Sequence, residues 1–170
     1  MPSKAYSVKN VNVLTLPTLP TADSSTLWMA GGLDENYNIL ASSEFIQENQ
    51  TMPGPELPVP IYSHVLVNIQ SDTTIQIGGF SPLEFGLPDM AACCKKVYIY
   101  QHKLSKWNLG PNLIQGRVFH SAGLVTDETT GEKLVTVTGG TSGNGDPLKS
   151  TEIMSLGRKW SKGIFSILQE

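Results

Sequence analysis

The sequence predicts an all-β protein, and three observations lead to this prediction. Its 170 residues include 16 glycines and 11 prolines, and such frequent turn residues suit many short strands better than long helices. Apolar runs of strand length alternate with polar turns. One pattern also occurs twice: "GPELPVPIYSH" (54–64) and "GPNLIQGRVFH" (110–120) place Gly, Pro, Leu and His at the same offsets.

The composition narrows the class of protein. With 39% hydrophobic and 16% charged residues, the chain has the balance of a globular domain rather than of a disordered or membrane protein. The net charge is −3 and Lys and Arg form no run, so nothing indicates a nucleic-acid or membrane partner. The first twenty residues lack the continuous apolar stretch of a signal peptide, which predicts a cytoplasmic protein. An extracellular location stays open if Met1 is not the natural start.

Each of the two repeated stretches leads into a predicted hairpin. After His64 and after His120, an apolar run, a polar turn and a second apolar run end in Gly-Gly. We therefore expect antiparallel hairpins at 62–79 and 118–140 that superpose on one another. A third Gly-Gly doublet, Gly31-Gly32, follows "TLWMA" and closes a similar strand.

Two further strands follow each doublet. The third strands are "SSEFI", "KVYIY" and "STEIM", and "KWNLG" (106–110) and "KWSKG" (159–163) supply fourth strands with a tryptophan. The unit thus has four strands, and its doublets recur after 47 and then 61 residues, at positions 31, 78 and 139. The stretches 54–64 and 110–120 are joints that carry the chain from the last strand of one unit to the first strand of the next.

This unit resembles the kelch repeat. The period near ~50 residues, the doublet after an apolar strand, the pair Tyr100 and Trp107, and the step from Arg117 to His120 all match it. The resemblance extends from about Thr26 to the C-terminus and implies a partial kelch-type β-propeller. We expect about three four-stranded antiparallel blades. Their bounds are about 27–60, 61–116 and 117–170, after an N-terminal segment, 1–26, that supplies a strand of a preceding blade.

A closed propeller takes about 4–8 blades, so the sequence reads as a fragment or as part of a ring that other chains complete. We expect self-association through open blade faces. The repeated landmark residues have physical roles. At each doublet the chain leaves its strand with φ > 0. Trp107 and Trp160 fill the wedges between blades, and Arg117 and His120 hydrogen-bond to backbone groups at the joint. The first unit departs from the pattern at Thr51 and Ile61.

Several residues have a structural interpretation. His64 and His120 hold equivalent positions and are interpreted as structural histidines of the joints. His102 is expected to be solvated in a hairpin tip. The pair Cys93-Cys94 is read as an ordinary loop pair rather than a redox sensor. Because the histidines and cysteines lie on separate units, we expect no metal and no cofactor.

Two loop motifs have weak functional interpretations. "GGTSGNGD" (139–146) lacks the Lys-Ser/Thr of a phosphate-binding loop, so a long turn is expected there. The acidic pairs Asp34-Glu35 and Asp127-Glu128 are expected to favour turns and solubility.

The resemblance implies a protein–protein interaction scaffold that presents the loops of one face to a protein partner. By similarity to kelch binding faces, the partner-binding residues are those just after each doublet and those at the joints: Leu33, Asp34, Ser63, Phe80, Ser81, Phe119, Thr141 and Ser142. No catalytic residue is assigned. The alternatives are an enzymatic propeller, of the galactose-oxidase-like or another sugar-acting type, and an extracellular carbohydrate-binding module.

Overall fold

The computed structural model describes residues 12–16, 26–47, 50–70, 72–82, 95–155 and 161–163. This part of the chain is all-β, with a 3-10 turn (His102–Leu104) and no α-helix. Its strands are β1 (Asn12–Leu16), β2 (Thr26–Ala30), β3 (Ser43–Gln47), β4 (Gln50–Pro53), β5 (Val65–Gln70), β6 (Thr73–Ile77), β7 (Val97–Gln101), β8 (Lys106–Leu109), β9 (Ser121–Thr126), β10 (Lys133–Thr138), β11 (Thr151–Ser155) and β12 (Ser161–Gly163).

The strands form three four-stranded antiparallel sheets, β1–β4, β5–β8 and β9–β12. In each sheet the spatial order follows the chain, so every strand pairs with the next one through a hairpin or a longer loop. The predicted hairpins at both repeated stretches are confirmed as antiparallel pairs, β5 with β6 and β9 with β10. Their registers match next to the doublets, where Val65 faces Ile77 and Ser121 faces Thr138, and β5 differs from β9 by an irregularity between Asn68 and Gln70.

The strand within the N-terminal segment 1–26 is β1. It pairs with β2, with Asn12 opposite Ala30, and is therefore the first strand of the first sheet rather than of a preceding one. The expected roles of Trp160 and of Cys93-Cys94 fall outside the residues that the structure describes.

The sheets are arranged side by side through their first strands. β5 lies next to β1 on one side and next to β9 on the other. The sheets formed by the described strands are not closed into a ring. This arrangement gives two interfaces between sheets, and each is filled by its own apolar core.

The core between the first and second sheets is built around Trp28. Its other buried members are Ala30, Leu57, Ile61, Leu66 and Tyr100. The core between the second and third sheets is aliphatic, and its buried members are Val67, Ile69, Ile75, Ile77, Val97, Leu113, Val135, Val137 and Met154. Alternate residues of each strand point to opposite faces, so the middle sheet contributes to both cores.

The outward face of the third sheet differs from the matching face of the second. At the positions that are Ile75, Ile77 and Val97 in the second sheet, the register places Thr136, Thr138 and Thr151 in the third. The hydroxyls of Thr138 and Thr151 lie 3.0 Å apart and hydrogen-bond to each other. The outward face of the third sheet is thus more polar than the matching face of the second at these positions, and it also carries Val125, Leu134 and Ile153.

Aromatic rings fill the outer part of the first interface. Trp107 faces Tyr100 across β7 and β8, and their ring centroids are 4.9 Å apart. Trp28 of the first sheet approaches both rings, at 5.4 Å from Tyr100 and 5.9 Å from Trp107. Trp107 therefore packs between two sheets, as expected, but Trp28 is the ring that is completely buried.

The indole nitrogens of Trp28 and Trp107 are buried without a hydrogen-bond partner. No helix within the described residues has the length and apolar character needed to cross a membrane.

Candidate interaction surface at the doublet end

One end of the sheets collects most of the repeated landmarks. The second strands β2, β6 and β10 finish there, each one residue before a Gly-Gly doublet, and the first strands β5 and β9 begin there. We call this end the doublet end, and the opposite end, which includes the 3-10 turn, the tip end. Because neighbouring strands are antiparallel, the doublets, the loops after them and the joints all lie at the doublet end.

The doublets have the backbone conformation predicted for them. All six glycines have positive φ, between 55° at Gly78 and 97° at Gly32. Two successive residues in the left-handed region turn the chain sharply out of the strand, and glycine adopts this conformation at the lowest cost. The turn brings the loop after each doublet back against the joint.

Backbone hydrogen bonds connect the doublet end from sheet to sheet. The amide of Gly32 donates to the carbonyl of Ile61 at 2.8 Å, and the amide of Gly79 donates to the carbonyl of Arg117 at 3.0 Å. Each joint also pairs with the loop of its own sheet, through the bridge between Tyr62 and Phe80 and the bridge between Val118 and Thr141. The described loops and joints therefore form one connected surface.

Each joint histidine is held between two doublets. A Cβ on Gly31 would come within 2.9 Å of Cε1 of His64, and a Cβ on Gly79 would come within 2.6 Å of Cβ of His64. His120 repeats this arrangement between Gly78, at 2.7 Å, and the next doublet. Both rings occupy space that only glycine leaves open, which supports the structural interpretation of these histidines.

Burial keeps both joint histidines neutral. It lowers the pKa of His64 to about 3, with a smaller contribution from His120, and lowers the pKa of His120 to about 4, with a further contribution from Arg117. The backbone carbonyls of Ile77 and Arg117 partly oppose the shift at His120, although none meets hydrogen-bond geometry with its ring nitrogens. The sequence predicted hydrogen bonds from His120, and the structure brings these two carbonyls near its ring without full hydrogen-bond geometry.

Arg117 does form the predicted bonds at the joint, and it forms an ion pair as well. Its guanidinium donates to the carbonyl oxygens of Gly139 and Ser150, at 2.8 and 3.2 Å. It also reaches the carboxylate of Glu152 at 2.8 Å, and both side chains are almost completely buried. The Glu152 carboxylate accepts two further bonds, from the amides of Ile114 and Gln115. This network locks the second joint to the third sheet.

The eight predicted partner-binding residues fall on three equivalent repeat positions, all at the doublet end. The residues directly after the doublets are Leu33, Phe80 and Thr141, the next residues are Asp34, Ser81 and Ser142, and the residues before the joint histidines are Ser63 and Phe119. The repeat therefore brings them to one end.

These eight residues differ in how far their side chains are exposed to solvent. Phe119 is 64% exposed, whereas Ser63 and Ser81 are buried. The hydroxyls of Ser63, Ser81 and Ser142 are inaccessible and have no hydrogen-bond partner. Phe119 is thus the member of the set best placed to meet a partner.

Phe80 and Asp34 have structural contacts of their own. The Phe80 ring lies 5.2 Å from that of Tyr62, across their backbone bridge. The Asp34 carboxylate accepts bonds from the amides of Asn36 and Asn38 and from the Asn38 side chain. The bonds with Asn38 contribute most to a lowered pKa of Asp34. Asp34 therefore shapes its turn, as expected for an acidic loop residue.

Sequence reasoning missed Tyr37, which is 67% exposed. It lies in the loop after the first doublet, with a φ of 63° that is unusual for a bulky residue. A signal was available, because "GGLDENYN" (31–38) and "GGTSGNGD" (139–146) have the same length and place Tyr37 where the third unit has Gly145. That comparison marks Tyr37 as a large side chain at a glycine position.

The sequence predicted a solvated His102, whereas the structure shows a half-buried side chain. Its ring packs against Tyr100 and Trp28, at 4.9 and 5.7 Å between centroids, and its Nε2 lies 2.8 Å from the hydroxyl of Thr74. Burial lowers its pKa, and the charge of Asp72 opposes that shift. The 3-10 turn folds the ring back onto the sheet, which the tip position alone did not reveal.

The other loop motifs are structural in form. Residues 139–146 form a turn, as expected, in which Ser142 and Asp146 bond through their backbone. The Asp127 carboxylate accepts from the amides of Thr129 and Thr130 in the hairpin at the tip end. Among the described residues, no three His, Cys, Asp or Glu side chains are grouped so that they could hold a metal ion.

No protein-family model and no curated protein matches the chain by sequence. The doublet end combines backbone hydrogen bonds between sheets with exposed aromatic side chains.

Proposed function

We propose that the three sheets are consecutive kelch-type blades of a partial β-propeller, and that the chain is a protein–protein interaction scaffold. Its first strands lie side by side, as the inner strands of neighbouring blades would. The repeated packing of His64 and His120 against doublets supports the same assignment. In this proposal the joints are the connections between blades.

One observation carries the functional proposal: loops from different sheets meet at the doublet end on a backbone that is bonded from sheet to sheet. A rigid scaffold with variable loops at one end is a common design of binding surfaces. Exposed aromatic residues such as Phe119 are the kind of side chain that dominates binding energy at protein interfaces. The partner therefore contacts the loops after the doublets and the joints.

The test is affinity capture of the full chain from cells, with mass spectrometry of bound proteins. One variant changes the doublet end, Phe119→Ser combined with Phe80→Ala. The matched control changes an exposed apolar residue of the tip end, Leu104→Ser, since Leu104 is 66% exposed. We expect a protein partner that the control retains and the doublet-end variant loses. A partner that both variants lose equally, or the lack of any enriched protein, would contradict the proposal.

A further inference from the structure

Two loops of identical length show that Tyr37 occupies a position at which the third unit has a glycine. In the first unit the amide of Asp34 donates to the carbonyl of Asn38 at 3.0 Å, and the amide of Tyr37 donates to the carbonyl of Asp34 at 3.1 Å. In the third unit the same two bonds run from Ser142 to Asp146 and from Gly145 to Ser142, both at 2.9 Å. The turn is the same, but its left-handed residue is a tyrosine in one loop and a glycine in the other.

A bulky residue in the left-handed region is strained, and such strain is found mainly where the side chain has a task. Tyr37 has a φ of 63° and Gly145 a φ of 83°. Phe119, at the second joint, is a second aromatic residue in the left-handed region, with a φ of 56°. The equivalent residue of the first joint is the smaller Ser63, with a φ of 54°. The two aromatic residues are 67% and 64% exposed. Both therefore present a ring to solvent at the doublet end, at positions where a smaller residue serves in another unit.

The charge distribution indicates what would approach Tyr37. Residues 10–94 contain nine Asp and Glu and no Lys or Arg, although the whole chain carries a net charge of only −3. Asp34 and Glu35 belong to the Tyr37 turn itself, and Glu56 is an exposed residue of the adjoining joint. Three acidic residues thus lie in the Tyr37 turn and the adjoining joint, whereas Asp72 lies at the tip end and pairs with Lys103.

We infer that Tyr37 anchors a Lys- or Arg-bearing segment of the partner protein, with the cation over the tyrosine ring and Phe119 contacting an apolar residue of the same partner. A tyrosine face attracts an ammonium or guanidinium group, and the carboxylates of Asp34, Glu35 and Glu56 steer a basic segment toward it. This inference rests on the proposed function and names the chemistry of its partner.

The test is a selection of short random peptides displayed on phage, with the full chain immobilised. Binding of the selected peptides is then measured for wild type, Tyr37→Gly, Phe119→Ser and the tip-end control Leu104→Ser. The first two variants install the residue found at the equivalent position of another unit, so the backbone conformation is accommodated. Thermal unfolding verifies that each variant is folded.

We expect selected peptides to be enriched in Lys or Arg, to bind Tyr37→Gly about tenfold more weakly than wild type, and to bind Leu104→Ser unchanged. Their binding should weaken as salt is raised. Selected peptides that need Phe119, contain no basic residues and bind Tyr37→Gly as tightly as wild type would overturn this inference. The proposed function as an interaction scaffold would still hold in that case. Failure to enrich any peptide that requires the doublet end would overturn both. A glycan array gives a third readout. Binding of a glycan that is lost in Tyr37→Gly would show that the ligand is a carbohydrate and would overturn the inferred protein partner.

Discussion

The imidazole of His120 lies directly against Gly78 of the second doublet. A Cβ added to Gly78 would sit 2.7 Å from Cε1 of the ring and 2.9 Å from the carbonyl oxygen of Arg117, which is closer than carbon atoms approach in folded proteins. The glycine and the histidine belong to neighbouring sheets. Their contact is therefore a joint between sheets, and it can be tested by substitution.

Gly78→Ala is expected to destabilise the protein severely. The new methyl group would both strain a residue with a φ of 55° and displace the His120 ring or the joint backbone. Gly131→Ala is the matched control, because Gly131 has a φ of 71° and no atom near the position of a Cβ. The control should lose about 1–2 kcal/mol of unfolding free energy from backbone strain alone, and Gly78→Ala several kcal/mol more. Equal losses in urea unfolding would contradict the packed joint.

Stability is expected to fall as the pH is lowered from neutrality. His64 and His120 have pKa values of about 3 and about 4 in the folded protein, and about 6.5 when unfolded. Below pH about 6.5 the unfolded chain therefore binds more protons, so stability present above that pH is lost progressively toward pH about 4. Each histidine should contribute a loss of about 1 kcal/mol between pH about 7.5 and about 5.5.

The measurement is urea unfolding at both pH values for wild type and for His64→Gln and His120→Gln. Each substitution should reduce the change in unfolding free energy between the two pH values. His102→Gln is the comparison, because His102 is only partly buried and Asp72 opposes its lowered pKa. A wild-type stability that does not change over this range would show that the rings are protonated or accessible.

Arg117 and Glu152 are expected to be strongly coupled. Arg117→Met leaves the buried Glu152 carboxylate without its cation, which should reduce the unfolding free energy by about 3–5 kcal/mol. The double variant Arg117→Met, Glu152→Gln removes both charges and should lose less than the sum of the two single variants. Urea unfolding of the four proteins measures the coupling, and additive losses would contradict a buried ion pair.

Tyr37→Gly is expected to leave the stability unchanged or to raise it by up to about 1 kcal/mol. Glycine relieves the left-handed strain, although it adds entropy to the unfolded chain. The mirror variant Gly145→Ala places a Cβ at the equivalent position, where φ is 83°, and should lose about 1–2 kcal/mol. Thermal unfolding compares the two, and a clear loss of stability in Tyr37→Gly would indicate that the ring supports the fold rather than a partner.

The open arrangement of sheets is expected to make the 170-residue chain self-associate. The threonines on the outward face of the third sheet should keep this association weak. Replacing its threonines by the aliphatic residues of the second sheet, Thr136→Ile with Thr138→Ile and Thr151→Val, should strengthen it. Size-exclusion chromatography with light scattering at several concentrations measures this, and a strict monomer in both proteins would refute the expectation.

The local structure of this protein could be predicted from its sequence. Two-residue alternation and Gly-Gly punctuation located the strands that end at Ala30, Ile77 and Thr138, and the positive φ of the doublets followed from residue type alone. The offset between His64 and His120 predicted two joints of the same form. These features depend on residues close together in the chain, so their physical causes are visible in the sequence.

The contacts between distant side chains could not be predicted in this way, because they depend on how the sheets pack. Arg117 and Glu152 are 35 residues apart, and nothing local predicts their contact. The complete burial of Trp28 and the return of His102 to the Trp28 and Tyr100 rings depend on how one sheet lies against the next. The same holds for the exposure of Tyr37 and Phe119, because the left-handed conformation at a non-glycine residue is imposed by the backbone bonds on either side of it. Strand formation depends on residues that are close in the chain. Contacts between sheets depend on how the joints place one sheet against the next.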